Sequence, residues 1–219
     1  MMVEIFKDKK WLLTGVLAAL TFGFLGLSYF VVINPPSAID LHISEELQER
    51  HSELLDGTMK VVSWFGTMPH SLIMVIFTAL IFYTFEYKRE AGFTLLTLLS
   101  GVISSGLKLL INRPRPTEDL VRIVEHAKHQ SFPSGHTLFY TIFFGFLIVM
   151  MSYLNSIPRL LRLVVISLSA LMVFLVPMSR VYLGAHWFTD VLGGFILGIL
   201  CLSLLGYLYL FPSKKSTKQ

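Results

Sequence analysis

Six uncharged and mainly apolar segments run along the chain, at 11–33, 61–85, 91–107, 137–157, 163–178 and 191–211. None alternates in polarity with a period of two, as the strands of a membrane barrel would. A helix needs about 20 apolar residues to cross a hydrocarbon core of about 30 Å. Four segments reach that length alone. The third reaches it if Lys108 sits near its end and 109–111 continue it, and the fifth if it begins nearer Leu160. Hydrocarbon offers backbone N–H and C=O groups no partners, so such segments close their hydrogen bonds internally as helices. The pattern predicts an all-α integral membrane protein with six transmembrane helices. The longest gaps, 34–60 and 112–136, leave no room for a large soluble unit, so residues 1–219 are expected to form a single membrane domain.

Composition agrees: 54% of residues are apolar and 15% charged, against about 25% charged in an average soluble domain. The first segment follows Lys7, Lys9 and Lys10, the arrangement of a signal peptide. It is longer than the usual signal core of about 7–15 residues, and is read as a retained first helix. Cys201 is the single cysteine; one thiol forms no internal disulfide and does not identify a compartment.

Six spans place both termini on one side, with the turns at 86–90 and 158–162. That side carries ten basic residues against eight opposite, or against five if Lys108, Arg115 and Arg180 are set apart as functional. Together with the basic amino-terminal flank, this predicts cytoplasmic termini and external 34–60 and 112–136 loops. In the 34–60 loop, Ile43, Leu47, Leu54 and Leu55 share one side of a possible helix while Glu45, Glu46, Glu49 and Glu53 lie elsewhere. Two readings stay open, an amphipathic helix resting on the membrane surface and an acidic solvated loop.

The uncommon residues fall in three clusters between 108 and 190: KLLINRPRP (108–116), PSGH (133–136) and SRVYLGAHWFTD (179–190). The topology puts all three at the outer helix ends. Lys108, Arg115 and Arg180 bring fixed positive charge; arginine's planar fork matches phosphate oxygens and lysine adds a point charge. A helix beginning at PSGH offers free N–H groups and a positive dipole end. Ser134 suits its N-cap, and Gly135 lets the backbone approach a ligand. His186 and Asp190 are four residues apart, on one helix face. There the carboxylate can fix the imidazole tautomer and leave the other nitrogen free to attack. His136, from another helix, suits proton transfer to a departing oxygen.

Each residue alone also has a structural reading. Lys108 can snorkel from a helix end, Arg113-Pro-Arg115-Pro can be an extended turn, and His186–Asp190 can be a satisfied polar pair. A zinc site built from the two histidines and the aspartate is opposed by the three neighbouring cations. What the separate readings leave unexplained is the presence of all three clusters on one face. His70, His126 and His129 have no companion spacing, although His126 or His129 could line an entrance. Gly194 and Gly198 form a GxxxG packing signal, and Pro177 is expected to kink or end the fifth helix ahead of Ser179.

Taken together, Lys108 to Arg115-Pro116, Pro133-Ser134-Gly135-His136, and Ser179-Arg180 to His186 to Asp190 resemble the signature of the type 2 phosphatidic acid phosphatase family, with every position matched. The resemblance implies a metal-independent, cofactor-free phosphatase. His186 would form a phosphohistidine, oriented by Asp190, and His136 would protonate the leaving alcohol. Lys108, Arg115, Ser134, Gly135 and Arg180 would hold the phosphate, and water would release it. The compact chain looks most like bacterial members acting on phosphatidylglycerol phosphate or undecaprenyl pyrophosphate in the cell membrane, with an extracytoplasmic active site. The expected partners are the lipid phosphate substrate and membrane lipids, with no nucleic acid. The competing class is a non-catalytic lipid-phosphate binder or transporter, which would have no need of the two histidines.

Overall fold

The structure, a computed structural model, describes residues 10–211. Lys7, Lys9, Lys214, Lys215 and Lys218, which the orientation expectation uses, lie outside the described residues. Within them the chain forms α-helices and no strand. In chain order these are α1 (Lys10–Ile33), α2 (Ala38–Glu49), α3 (Glu53–Trp64), α4 (His70–Thr84), α5 (Lys88–Leu96), α6 (Leu99–Ile111), α7 (Gly135–Tyr153), α8 (Arg159–Tyr182) and α9 (Phe188–Leu210).

Five helical stretches are long and apolar enough to cross a membrane: Trp11–Ile33, Lys88–Ile111, Gly135–Tyr153, Arg159–Tyr182 and Phe188–Leu210. The second of these is α5 and α6, interrupted at 97–98, where the Thr97 hydroxyl donates to Thr94 O at 2.6 Å. Large apolar side chains stand exposed around the outside, among them Phe22 on α1, Phe77 on α4, Val102 on α6, Phe174 on α8 and Tyr207 on α9. An apolar perimeter of this extent suits lipid rather than water. The protein is a multi-pass membrane protein.

The second predicted segment divides. Residues 61–64 close α3, a turn follows, and α4 begins only at His70, a 15-residue apolar helix that is shorter than any of the five spans. Pro69 has no N–H to continue the α3 ladder. A side chain at Gly66 would strike the rings of His136 and Tyr140, the latter at 2.7 Å; the turn therefore presses its backbone against the start of α7. The fourth segment is shifted as well, running from Gly135 to Tyr153 and not to residue 157. The fifth does not end ahead of Ser179. Helix α8 runs through Pro177 to Tyr182 and carries Arg180 in its last turn.

Helix α7 is central, with α8, α9, α6 and α5 packed around it. It is apolar on every side, as a helix enclosed by others must be; residues 137–143 are buried without a break. Leu138, Ile142, Phe146 and Met150 pack with Leu205 and Tyr209 of α9, while Phe139, Tyr140 and Phe143 meet Val62, Val75 and Val176. Gly194 and Gly198 let α9 approach closely. A Cβ at the first would stand 2.6 Å from Ser134 O, and at the second 2.6 Å from Thr141 Cβ. The GxxxG pattern thus serves packing within the chain.

The 34–60 region is two helices joined by a short turn. Ser37 caps α2 in a capping box with Asp40, and Ser52 caps α3. The expected apolar face of this region is only half-buried at Ile43, Leu47 and Leu55, and Leu54 is exposed. What α2 buries is polar: Asp40, Ser44 and Gln48, one turn apart. Gln48 donates to Arg122 O at 2.8 Å and Tyr182 O at 2.9 Å, and so ties α2 to the 112–134 loop and to α8.

Candidate active site

The ends of α6 and α8, the starts of α7 and α9, and the 112–134 loop meet at one end of the bundle. Ser134 is the N-cap of α7: its hydroxyl oxygen accepts from Thr137 N at 3.4 Å and its own N–H donates to Asp190 O at 2.9 Å. That second bond joins the PSGH turn to the first turn of α9. Gly135 faces α6, where a Cβ would lie 3.0 Å from Ser104 Oγ and 4.0 Å from Lys108 Cε. The three sequence clusters therefore converge in space.

His186 lies between α8 and α9, only 2% exposed. Its Nε2 stands 3.3 Å from Arg115 Nη1. Its Nδ1 stands 3.3 Å from Ser131 Oγ and 3.5 Å from Asp190 Oδ2. Arginine can only donate, so Nε2 is the acceptor and Nδ1 carries the proton. Burial pushes the His186 imidazole well below its ordinary value, and the charges of Arg115, Lys108 and Arg180 act in the same direction. The ring is held neutral, with its Nε2 lone pair turned toward the cationic side chain of Arg115.

Asp190 is fully buried and held by donors on both oxygens. Arg113 Nη1 donates to Oδ1 at 2.6 Å; Trp187 N donates to Oδ2 at 2.9 Å, and the Ser131 hydroxyl donates to Oδ2 as well. His136 enters from α7 with its Nε2 buried and, within the described residues, making no hydrogen bond. Lys108, Arg115 and Arg180 are occupied by acceptors of the protein itself. Lys108 Nζ donates to Gln130 O at 2.7 Å. Arg115 donates to the carbonyls of His129 at 2.7 Å, Lys128 at 2.9 Å and Ala185. Burial, followed by the charge of Arg180, pushes the Arg115 guanidinium down to about 10, still protonated at neutral pH. Arg180, with no exposed surface, donates to Ser63 Oγ and meets the Glu125 carboxylate at 3.1 Å. These acceptors satisfy the cations much as phosphate oxygens would.

Residues 89–214, which contain all of these groups but Ser63, match the model of the PAP2 superfamily. The chain belongs to this superfamily. It is 31% identical over 185 residues to the phosphatidylglycerophosphatase B of Bacillus subtilis (strain 168), covering 81% of this chain and 86% of that one. An 82-residue stretch is 37% identical to a chain of Escherichia coli (strain K12) provisionally named as an undecaprenyl-diphosphatase, 36% of each chain. Among solved structures, a transmembrane PAP2 type phosphatidylglycerolphosphate phosphatase from Bacillus subtilis superposes with a TM-score of 0.78. It is 24% identical, covering 91% of this chain and 98% of that one, and so shows a common fold. This PAP2 protein is a lipid phosphatase.

Several residues of the PAP2 site escaped the sequence reading. Ser131, directly before Phe132-Pro133, joins His186 to Asp190. Glu125 and Ser63 hold Arg180. Arg113, read as part of a basic turn, is buried between Asp190 and Asp40. The capping-box spacing of Ser37 and Asp40 was the only local signal among them, and it announces a helix start rather than a site. His129 borders an open pocket of about 360 Å³ with Asn112, Arg113, Pro114, Arg115 and Gln130. His126 instead stands 3.7 Å from Glu118, both exposed.

Proposed function

We propose that this protein removes the terminal phosphate of a membrane lipid through a phosphohistidine at His186. The observation that carries the reading is the placement of His186, whose Nε2 faces Arg115 while Nδ1 is backed by Ser131 and Asp190. Lys108, Arg115 and Arg180, with the α7 N-terminus at Ser134 and Gly135, hold the phosphate oxygens and stabilise the charge spread over them as the bond breaks. Nε2 attacks phosphorus, an N–P bond forms, and the bond from phosphorus to the lipid oxygen breaks. His136 gives that oxygen a proton. Water then attacks the phosphorus of the phosphohistidine and yields a proton to His136, the N–P bond breaks, and neutral His186 and inorganic phosphate are released. The reading requires no metal, because the three cations already supply the charge a metal would. Turnover that collapses in chelator and returns with a divalent ion would contradict this.

The substrate classes are phosphatidylglycerol phosphate and undecaprenyl pyrophosphate, in keeping with the names of the relatives in Bacillus subtilis and Escherichia coli. The membrane reading that goes with this counts α4 as the sixth span, places the termini in the cytoplasm and puts the site on the outer face of the cell membrane, in a single domain. An outer site serves recycling of a carrier diphosphate directly. A lipid headgroup at the interface can reach the helix ends while its tails stay in hydrocarbon. The test is His186→Ala, assayed on both lipids at matched detergent fraction. Loss of phosphate release with lipid binding retained is expected; release at the wild-type rate would sink the mechanism.

A further inference from the structure

The sequence pattern makes α2 an accessory helix outside the membrane core, yet its Asp40 has no exposed surface and reaches Arg113 and Thr189 behind the site. Asp40 Oδ2 accepts from Arg113 Nη2 at 2.6 Å, Ser37 Oγ at 2.7 Å and Ser37 N at 3.1 Å. Oδ1 accepts from Thr189 Oγ1 at 2.8 Å and Thr189 N at 2.9 Å. Every contact is a donor, so only a carboxylate fits; an amide would turn an NH₂ group toward donors. The other arm of Arg113 donates from Nη1 to Asp190 Oδ1 at 2.6 Å and to Thr189 Oγ1 at 2.7 Å. Its carbonyl accepts from Ser131 N at 2.9 Å. Arg113 therefore touches Asp190 directly and holds the backbone of Ser131, the two groups that face His186 Nδ1.

We propose that Arg113, clamped by Asp40 of α2, positions Asp190 and Ser131 behind the attacking imidazole, which makes α2 part of the phosphatase machinery. This rests on the reading of His186 as nucleophile. Neither residue faces the phosphate; both act through the groups that orient the ring. A lysine at 113 keeps the charge but cannot reach two carboxylates with one planar fork. Hydrogen-bonded partners behind metal-ligating side chains contribute about 10–100-fold, and the same scale is taken for partners behind the imidazole.

The test uses the full-length protein in detergent micelles with phosphatidylglycerol phosphate as substrate. Variants are Arg113→Lys, Asp40→Asn and the milder Thr189→Val, which removes only the hydroxyl joining Arg113 to Asp40. Each is measured for kcat, for the inhibition constant of inorganic phosphate, and for thermal unfolding. A positioning role lowers kcat by about 10–100-fold in Arg113→Lys and Asp40→Asn, and in the same direction in Thr189→Val, with phosphate inhibition unchanged because Lys108, Arg115 and Arg180 are intact. Unchanged kcat in any folded variant overturns the proposal. So does a parallel loss of kcat and phosphate affinity, which marks a general structural role. If Arg113→Lys and Asp40→Asn do not fold, Thr189→Val decides. His186→Ala run alongside separates the two readings: its full activity removes the nucleophile, whereas its inactivity beside unaffected clamp variants removes the clamp alone.

Discussion

His186 Nδ1 and Asp190 Oδ2 stand 3.5 Å apart, and Ser131 Oγ lies between them, 3.3 Å from the imidazole nitrogen. The direct separation is too long for a good hydrogen bond. Since the Ser131 hydroxyl donates to Asp190, its oxygen is left to accept from Nδ1–H. The carboxylate thus reaches the ring through a serine.

Ser131→Ala should lower kcat by about tenfold or more with a small change in KM, given that general acid–base and orienting groups contribute about 10²–10⁴-fold. Ser131→Thr, which keeps the hydroxyl, should recover part of the loss. Steady-state kinetics of both variants on one lipid phosphate would check this. An alanine variant as fast as wild type would show that Asp190 closes on His186 without help.

Glu125 occupies Arg180 as an internal anion. With Arg180 as a phosphate ligand, as proposed, Glu125→Gln removes a competitor, and inorganic phosphate should then inhibit at lower concentration. Weaker inhibition would instead make Glu125 a partner that holds Arg180 in place for substrate.

The pH dependence of His186 has a defined sign. In the proposed mechanism its neutral form attacks, and burial together with Arg115, Lys108 and Arg180 holds its protonation well below the ordinary imidazole range. Once substrate ionisation is corrected for, kcat/KM should show no acidic limb near pH 6.5. Arg115→Gln removes one of the three charges and should move the limb upward.

Asp56 gives a stability prediction outside the spans. Hydrogen bonds from Arg122 and Tyr182 hold its carboxyl at about 2, below the ordinary 3.8. A carboxylate lowered in the folded state stabilises above its unfolded value and loses that contribution as pH falls through the folded one. The difference in unfolding temperature between wild type and Asp56→Asn should be full above about pH 4 and fade toward pH 2. A pH-independent difference would assign the effect to packing.

Gly66→Ala tests the turn between α3 and α4. The added methyl meets the His136 and Tyr140 rings. Displacing a proton donor by about 1 Å can cost up to about 100-fold in rate. A fall in kcat at near-normal lipid binding is expected, and an unchanged kcat would show that the turn yields.

Much of the architecture was legible in the chain because hydrocarbon allows few alternatives. Long uncharged runs have to become helices, and the clusters at their ends are read directly once spans are counted. The second run divides because Gly66 and Pro69 stop a helix where apolarity continues. The fifth starts at Arg159, near the expected Leu160, but does not end at Pro177, because a proline inside a helix leaves its neighbours helical. His186, Asp190, His136 and the cations could be singled out because they are chemically rare in such a setting. The buried face of α2 could not: Asp40, Ser44 and Gln48 look like solvated residues until the partner 73 positions away, Arg113, is seen against Asp40. Local sequence therefore determined the helices and the reactive residues, through hydrophobic length and side-chain chemistry. Only the tertiary structure decided which serine stands behind His186, which carboxylate fills Arg180 and which arginine holds Asp190, since those are contacts between distant segments whose buried donors and acceptors must pair.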